Sequence, residues 1–184
     1  LGLFFVYVGM EAGTGQWSFS LFTLSRATPA ALAGALVSAY WASLTLGRVL
    51  SGVLVPRIGS ERLLRGCMLA CIAAAGLLWA DIPVVSWLAV VALGLAFAPI
   101  FPVLIAETPA RLGYTQAADA IGLQVAAAVG GGAVLPGLLG VLSARSSLEI
   151  LGPALVAAGI VQFILHETLT RGAAARRPAA AVVS

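Results

Sequence analysis

Lysine is absent from the 184 residues, and only 9% of the chain is charged, with ten arginines against seven acids. A soluble domain of this length needs a charged skin, and there is too little here to make one. Histidine occurs once, at His166, and cysteine twice, at Cys67 and Cys71. The two cysteines lie four apart in an apolar run, without the paired spacing or histidine partners of a metal site, so both read as small membrane hydrophobes and no metal is expected. Catalytic signatures are missing as well: there is no Gly-x-Ser-x-Gly elbow, no His-Glu-x-x-His pair and no glycine loop closing on a lysine. Without a clustered nucleophile and base, neither an enzyme nor a cofactor is expected. The arginines are interrupted too regularly by apolar segments to form a nucleic-acid-binding face. The chain opens on Leu1 in a hydrophobic stretch, lacks the charged region of a signal peptide, and is expected to be a piece of a longer protein.

What the sequence does have is apolar length. It is 61% hydrophobic before its 21 glycines are counted, against about 45–50% with glycine included in ordinary soluble domains. A hydrocarbon core takes roughly 20 helical residues to cross, and six stretches approach or exceed that: 1–24, 29–55, 63–80, 83–106, 116–142 and 148–166. None alternates with the period of a barrel strand, and helices are then the only spanning structure open to them. The expected fold class is an all-α membrane protein with six transmembrane helices. Turn residues punctuate the breaks at 25–29, 57–62, 81–83, 108–115 and 143–147.

Charge gives the orientation. Arg48, Arg57, Arg62, Arg65, Arg111, Arg171, Arg176 and Arg177 gather at the second and fourth loops and after the last helix, whereas the opposite loops hold Arg26 and Arg145 alone. The positive-inside rule therefore puts both ends of the segment in the cytoplasm. Residues 1–170 form the bundle, and 171–184, made of Ala, Pro and Arg with few large apolar residues, is expected to be a disordered cytoplasmic tail.

Inside the first span Tyr7, Glu11, Thr14 and Ser18 fall on one helical face. A carboxylate there costs several kcal/mol against lipid, so it should face a cavity or a partner, where it can hold a proton or a sugar hydroxyl. In the second span Ala30, Gly34, Ser38 and Ala42 make a stripe of small residues suited to helix packing. Tyr40 and Trp41 could stack on or bond to a polar solute. Pro99 and Pro102, beside Phe97 and Phe101, should bend the fourth helix. Gln124 lies deep in the fifth span, ahead of Gly130, Gly131, Gly132, Pro136 and Gly137, and can face either a ligand or a neighbouring helix. Glu107 should pair with a nearby arginine, and His166 should sit at the interface.

At the second loop, Gly52-Val53-Leu54-Val55-Pro56-Arg57-Ile58-Gly59-Ser60 resembles the inter-helix signature of the major facilitator superfamily, Gly-x-x-x-Asp-Arg-x-Gly-Arg. Gly52, Arg57 and Gly59 fit, with Pro56 in place of Asp and Ser60 in place of a basic residue, a form closer to the copy between the eighth and ninth helices of that family. Phe5-Val6-Tyr7-Val8-Gly9-Met10-Glu11, Ile100-Phe101-Pro102-Val103-Leu104 and Ala118-Asp119-Ala120-Ile121-Gly122-Leu123-Gln124 resemble the second half of sugar-type members similar to the fucose permease. The resemblance implies one half of a twelve-helix fold, with the N-terminal six-helix half as its partner. It implies a solute site near the midplane between the halves, alternating access by rocking, and a bacterial-type inner membrane.

The function this implies is secondary active transport of a small polar solute, a sugar, by proton symport. A proton-coupled drug or metabolite exporter is the alternative, since a fold does not set a substrate, and a non-transporting membrane scaffold is a further one. The resemblance puts Glu11, Gln16, Tyr40, Trp41, Phe101 and Gln124 on the substrate, with Glu11 also carrying the proton. Near the cytoplasmic face Arg48 or Arg57 is expected to pair with Asp119, at the positive N-terminus of the fifth helix, as a gate.

Overall fold

A backbone that enters hydrocarbon has no water to bond, so its N–H and C=O groups must be satisfied within each segment. The chain meets that demand with helices throughout. The computed structural model describes the backbone of residues 1–175 and the side chains of residues 1–172, and no strand occurs among them. The α-helices are α1 (Gly2–Ser20), α2 (Ala30–Ile58), α3 (Ser60–Trp79), α4 (Pro83–Phe97), α5 (Ile100–Leu112), α6 (Tyr114–Arg145) and α7 (Leu151–Ala175). A π-helical turn, Leu21–Ser25, continues α1, and a 3-10 turn, Leu148–Ile150, leads into α7. Helix α7 takes in the first residues of the expected tail; residues 176–184 lie outside the described residues.

Five helical stretches are long and apolar enough to cross a membrane: Ala30–Ile58, Ser60–Trp79, Pro83–Leu112, Tyr114–Arg145 and Leu148–Gly172. Helix α1, the first of the six spans expected, is not among them. Glu11, Gln16 and the hydroxyls of Thr14, Ser18 and Ser20 dilute its apolar residues. Its place is inside the bundle, packed mainly on α6 and α7 and less extensively on α2. Thr14 and Ser18 are buried and bond back to the carbonyls of Met10 and Thr14, at 2.8 and 2.6 Å, so the lower half of the polar face serves the helix itself.

Proline and glycine set the breaks. Helix α4 stops just before Pro99, which has no N–H to donate, and α5 resumes at once, so the fourth expected span is one broken helix, Pro83–Leu112. The expected loops over 57–62 and 108–115 contract to single residues, Gly59 and Gly113. Their φ angles are +81° and +83° and their ψ angles 147° and 155°, a region essentially restricted to glycine. Pro56 and Pro109, inside the last turns before them, each remove a helical hydrogen bond and favour a stop there.

Small residues set the helix spacing, but not those of the expected stripe. Ala30, Ser38 and Ala42 are exposed, and nothing lies within 4 Å of where a Gly34 side chain would begin. Helices α2 and α4 meet instead through Gly94, where a Cβ would overlap Ser43 Oγ and the Tyr40 carbonyl, and the Ser43 hydroxyl reaches the Val91 carbonyl at 2.9 Å. Helices α1 and α6 meet at Gly131, where a Cβ would overlap the Phe5 carbonyl.

Arg26 closes one end of the bundle. Its Nη2 lies 2.5 Å from Glu149 Oε2 and 2.9 Å from the Leu78 carbonyl, its Nη1 2.8 Å from Ser86 Oγ, and its Nε 3.0 Å from both Glu149 Oε1 and Asp81 Oδ1. One guanidinium thus ties the end of α1 to the α3–α4 turn and the α6–α7 junction. Ala27 and Asp81, at left-handed φ of 48° and 53°, cost about 1–2 kcal/mol each, which the bonds to Arg26 offset. At the opposite end Arg65 joins α3 to α7 through Glu167 Oε1 at 2.5 Å.

Two substitutions check this account by thermal denaturation in detergent. Gly59→Ala should destabilise by about 1–3 kcal/mol through backbone strain alone, since the space around it is open, while Gly52→Ala, mid-helix in equally open space, should stabilise by up to about 1 kcal/mol. Arg26→Gln should cost about 2–3 kcal/mol: its side chain is only 7% exposed, but Glu149 is one-third exposed, which lowers the penalty for stranding a carboxylate.

Candidate functional site

Tyr7 and Glu11 sit one turn apart on α1, and Tyr40 and Arg48 two turns apart on α2, so each pair stands on one face of its helix. The four meet where the helices approach. The Tyr7 hydroxyl donates to Glu11 Oε2, the Tyr40 hydroxyl donates to the Glu11 main-chain carbonyl at 2.8 Å, and Arg48 Nη2 lies 3.1 Å from Glu11 Oε1 and 3.4 Å from Oε2. Both tyrosines are fully buried. The Glu11 side chain is 13% exposed and that of Arg48 47%, so the ion pair has one enclosed and one open member.

That opening is a cavity of about 450 Å³, bounded by Tyr7, Val8 and Glu11 of α1, Arg48 of α2, Phe101 and Pro102 of α5, and Val125, Ala128 and Val129 of α6. The break at Pro99 lets α5 present Phe101 here. The Phe101 ring centroid lies 6.3 Å from that of Tyr7 and 5.5 Å, edge to face, from that of Phe4. The wall is apolar except at Tyr7, Glu11 and Arg48. A charged pair inside an apolar cleft interacts more strongly than in water, and a solute entering can trade its own polar groups for one member of the pair.

The expected site residues divide. Glu11 and Phe101 line the cavity, and Tyr40 supports it through the main chain of Glu11. Trp41 stands off it, 43% exposed, with its ring edge-on to Tyr40 at 5.0 Å and its indole against Gly15. Gln16 is exposed and its side chain makes no hydrogen bond among the described residues. Gln124 accepts from Thr108 Oγ1 at 3.0 Å and so joins α6 to α5, one of its two expected uses.

The gate group does not assemble as expected. Arg48 bonds to Glu11 rather than Asp119, because the enclosed carboxylate is the one that lacks water. Arg57 and Asp119 are both exposed and enter no ion pair among the described residues. Glu107 pairs with Arg111, one turn along α5. His166, expected at the interface, is fully buried beside Gln162; its Nε2 and Gln162 Nε2 have no hydrogen-bond partner among the described residues, and its Nδ1 lies 3.5 Å from Glu167 Oε1. No group of three His, Cys, Asp or Glu side chains among the described residues could hold a metal ion, and both cysteines are free thiols.

Sequence reasoning gave Arg48 a gate role and missed its pairing with Glu11. A signal existed, since a lone acid in the first span and a lone base in the second have every reason to pair.

No protein-family model matches the sequence, and no curated protein is significantly similar to it.

A double-mutant cycle on Glu11→Gln and Arg48→Gln measures the pair. Because Arg48 is half-exposed, the coupling should be about 0.5–2 kcal/mol, below the range for a fully buried pair. Thermal denaturation of the four proteins reads it, and strict additivity would show the contact to be energetically idle.

Proposed function

We propose that the chain is the second half of a secondary active transporter of the major facilitator superfamily, moving a small polar solute, a sugar or a close relative of one, by proton symport. The observation that carries this reading is the Glu11–Arg48 ion pair at the mouth of an open cavity within an otherwise apolar helical bundle. Arg26, which serves the fold, is 7% exposed with all three nitrogens bonded, whereas Arg48 is 47% exposed and bonded through one. In this reading α1 is the sixth membrane span, polar because it lines the cavity rather than facing lipid. The segment has both ends in the cytoplasm and sits in a bacterial-type inner membrane.

The N-terminal six-helix half covers the face on which the cavity opens. Support comes from large apolar side chains of the cavity wall left exposed there, Val125 and Val129 on α6. Glu11 carries the proton, and its exchange of partners between Arg48, Tyr7 and the solute couples binding to rocking of the two halves.

Uptake of a labelled panel of neutral sugars and small organic acids, sugar acids among them, by vesicles holding the complete transporter tests this, with and without an imposed proton gradient. Gradient-driven uptake of at least one solute, lost in Glu11→Gln, is the expected result; no uptake under either condition overturns the proposal.

A further inference from the structure

The guanidinium of Arg48 is only half used. Its Nη2 serves both oxygens of Glu11, at 3.1 and 3.4 Å, whereas Nε and Nη1 make no hydrogen bond among the described residues. A guanidinium offers five donors in one plane and binds a carboxylate best through two parallel bonds along one edge. Glu11 does not engage it that way, since both carboxylate oxygens converge on a single nitrogen. Both two-donor edges, Nε with Nη2 and Nη1 with Nη2, share the nitrogen that Glu11 holds, so a ligand that takes either edge in full displaces Glu11 from Nη2, on a side chain that is 47% exposed and forms part of the cavity wall.

The rest of that wall narrows the choice of solute. Val8, Phe101, Pro102, Val125 and Val129 have no polar side-chain group, and Tyr7 already donates to Glu11. On this chain a neutral polyol would find few free hydrogen-bonding groups, whereas a carboxylate would find a matched fork that Glu11 holds through one nitrogen alone.

Charge narrows it further. Glu11 and Arg48 sum to zero, and a monoanion that displaces Glu11 from Arg48 strands the Glu11 carboxylate in an apolar setting. A proton taken up from solution onto Glu11 restores neutrality, and the protonated acid keeps an oxygen to accept the Tyr7 hydroxyl. One anion and one proton enter together and the site stays neutral. A dianion such as a phosphate monoester would leave one negative charge over.

Resting on the transport reading above, we infer that the solute of this site is an organic monocarboxylate whose carboxylate takes a two-donor edge of Arg48 and replaces Glu11 on Nη2, with one proton going to Glu11.

Binding to the complete purified transporter tests this with matched probes that differ in the carboxylate: glucuronate against glucose, lactate against propane-1,2-diol, and benzoate against benzyl alcohol, with glucose 6-phosphate as the dianion. At least one acid should bind about tenfold or more tighter than its neutral partner. Its binding should take up one proton per anion from weakly buffered solution, and Glu11→Gln should abolish that proton uptake. Arg48→Gln should remove the preference, and Arg48→Lys, which keeps the charge but not the planar fork, should restore only part of it.

The inference is overturned if no acid binds, if every neutral member matches its acid, if the preference survives Arg48→Gln, or if glucose 6-phosphate binds more tightly than all three monocarboxylates. Gradient-driven uptake of a neutral sugar without preference for its acid would sink this inference and leave the transport reading standing. Absence of uptake of every probe would sink both.

Discussion

An ionised carboxylate inside a bundle of hydrocarbon side chains has to be met by something, and the arrangement around Glu11 follows from that demand. Two tyrosines and one arginine reach a single residue of α1, one tyrosine through its side chain and the other through its main chain. An unpaired buried charge costs several kcal/mol, far more than any one hydrogen bond contributes. The separation of α1 and α2 at this level is thus held by groups that cannot all be moved cheaply. The close approaches at Gly131 and Gly94 extend the same packing to α6 and α4. The cavity is the space that remains once these contacts are made.

The two main arginine sites show how burial divides one chemistry between two uses. Arg26 is 7% exposed and all three of its nitrogens are bonded, to two carboxylates, a hydroxyl and a main-chain carbonyl. Arg48 is 47% exposed and holds its carboxylate through one nitrogen. The first is a fastener and the second retains capacity to bind. In a chain with so few charges, the difference lies in how many donors are already taken.

Much of the architecture could be read from the residues. Composition required helices, the apolar runs placed most of them, and Pro99 marked the break that brings Phe101 to the cavity. Spacing alone could not say which neighbour covers each helical face. Ala30, Gly34, Ser38 and Ala42 look like a packing stripe in sequence, yet α4 lies against the face carrying Ser43, and the stripe points outward. The same gap placed Arg48 with Asp119 instead of Glu11, since pairing across 37 residues depends on helix order in space. Loop lengths were overestimated for a local reason. Polar and charged residues at 57–62 and 108–115 read as solvent-facing turns, but a single glycine at positive φ can reverse the chain and leave its neighbours helical.

Those one-residue reversals divide the bundle mechanically. With only Gly59 between α2 and α3, and only Gly113 between α5 and α6, each hairpin has two backbone torsions of slack at that end, so a tilt of one arm is handed to the other almost undiminished. The opposite end is built differently: its reversals at 26–29, 80–82 and 146–147 are longer and are fastened by the guanidinium of one residue. One end of the bundle is geared by covalent chain, with the Arg65–Glu167 pair beside it, and the reversals of the other are held by an ionic clasp, so salt and acid loosen the turns of the second and leave the one-residue reversals of the first intact.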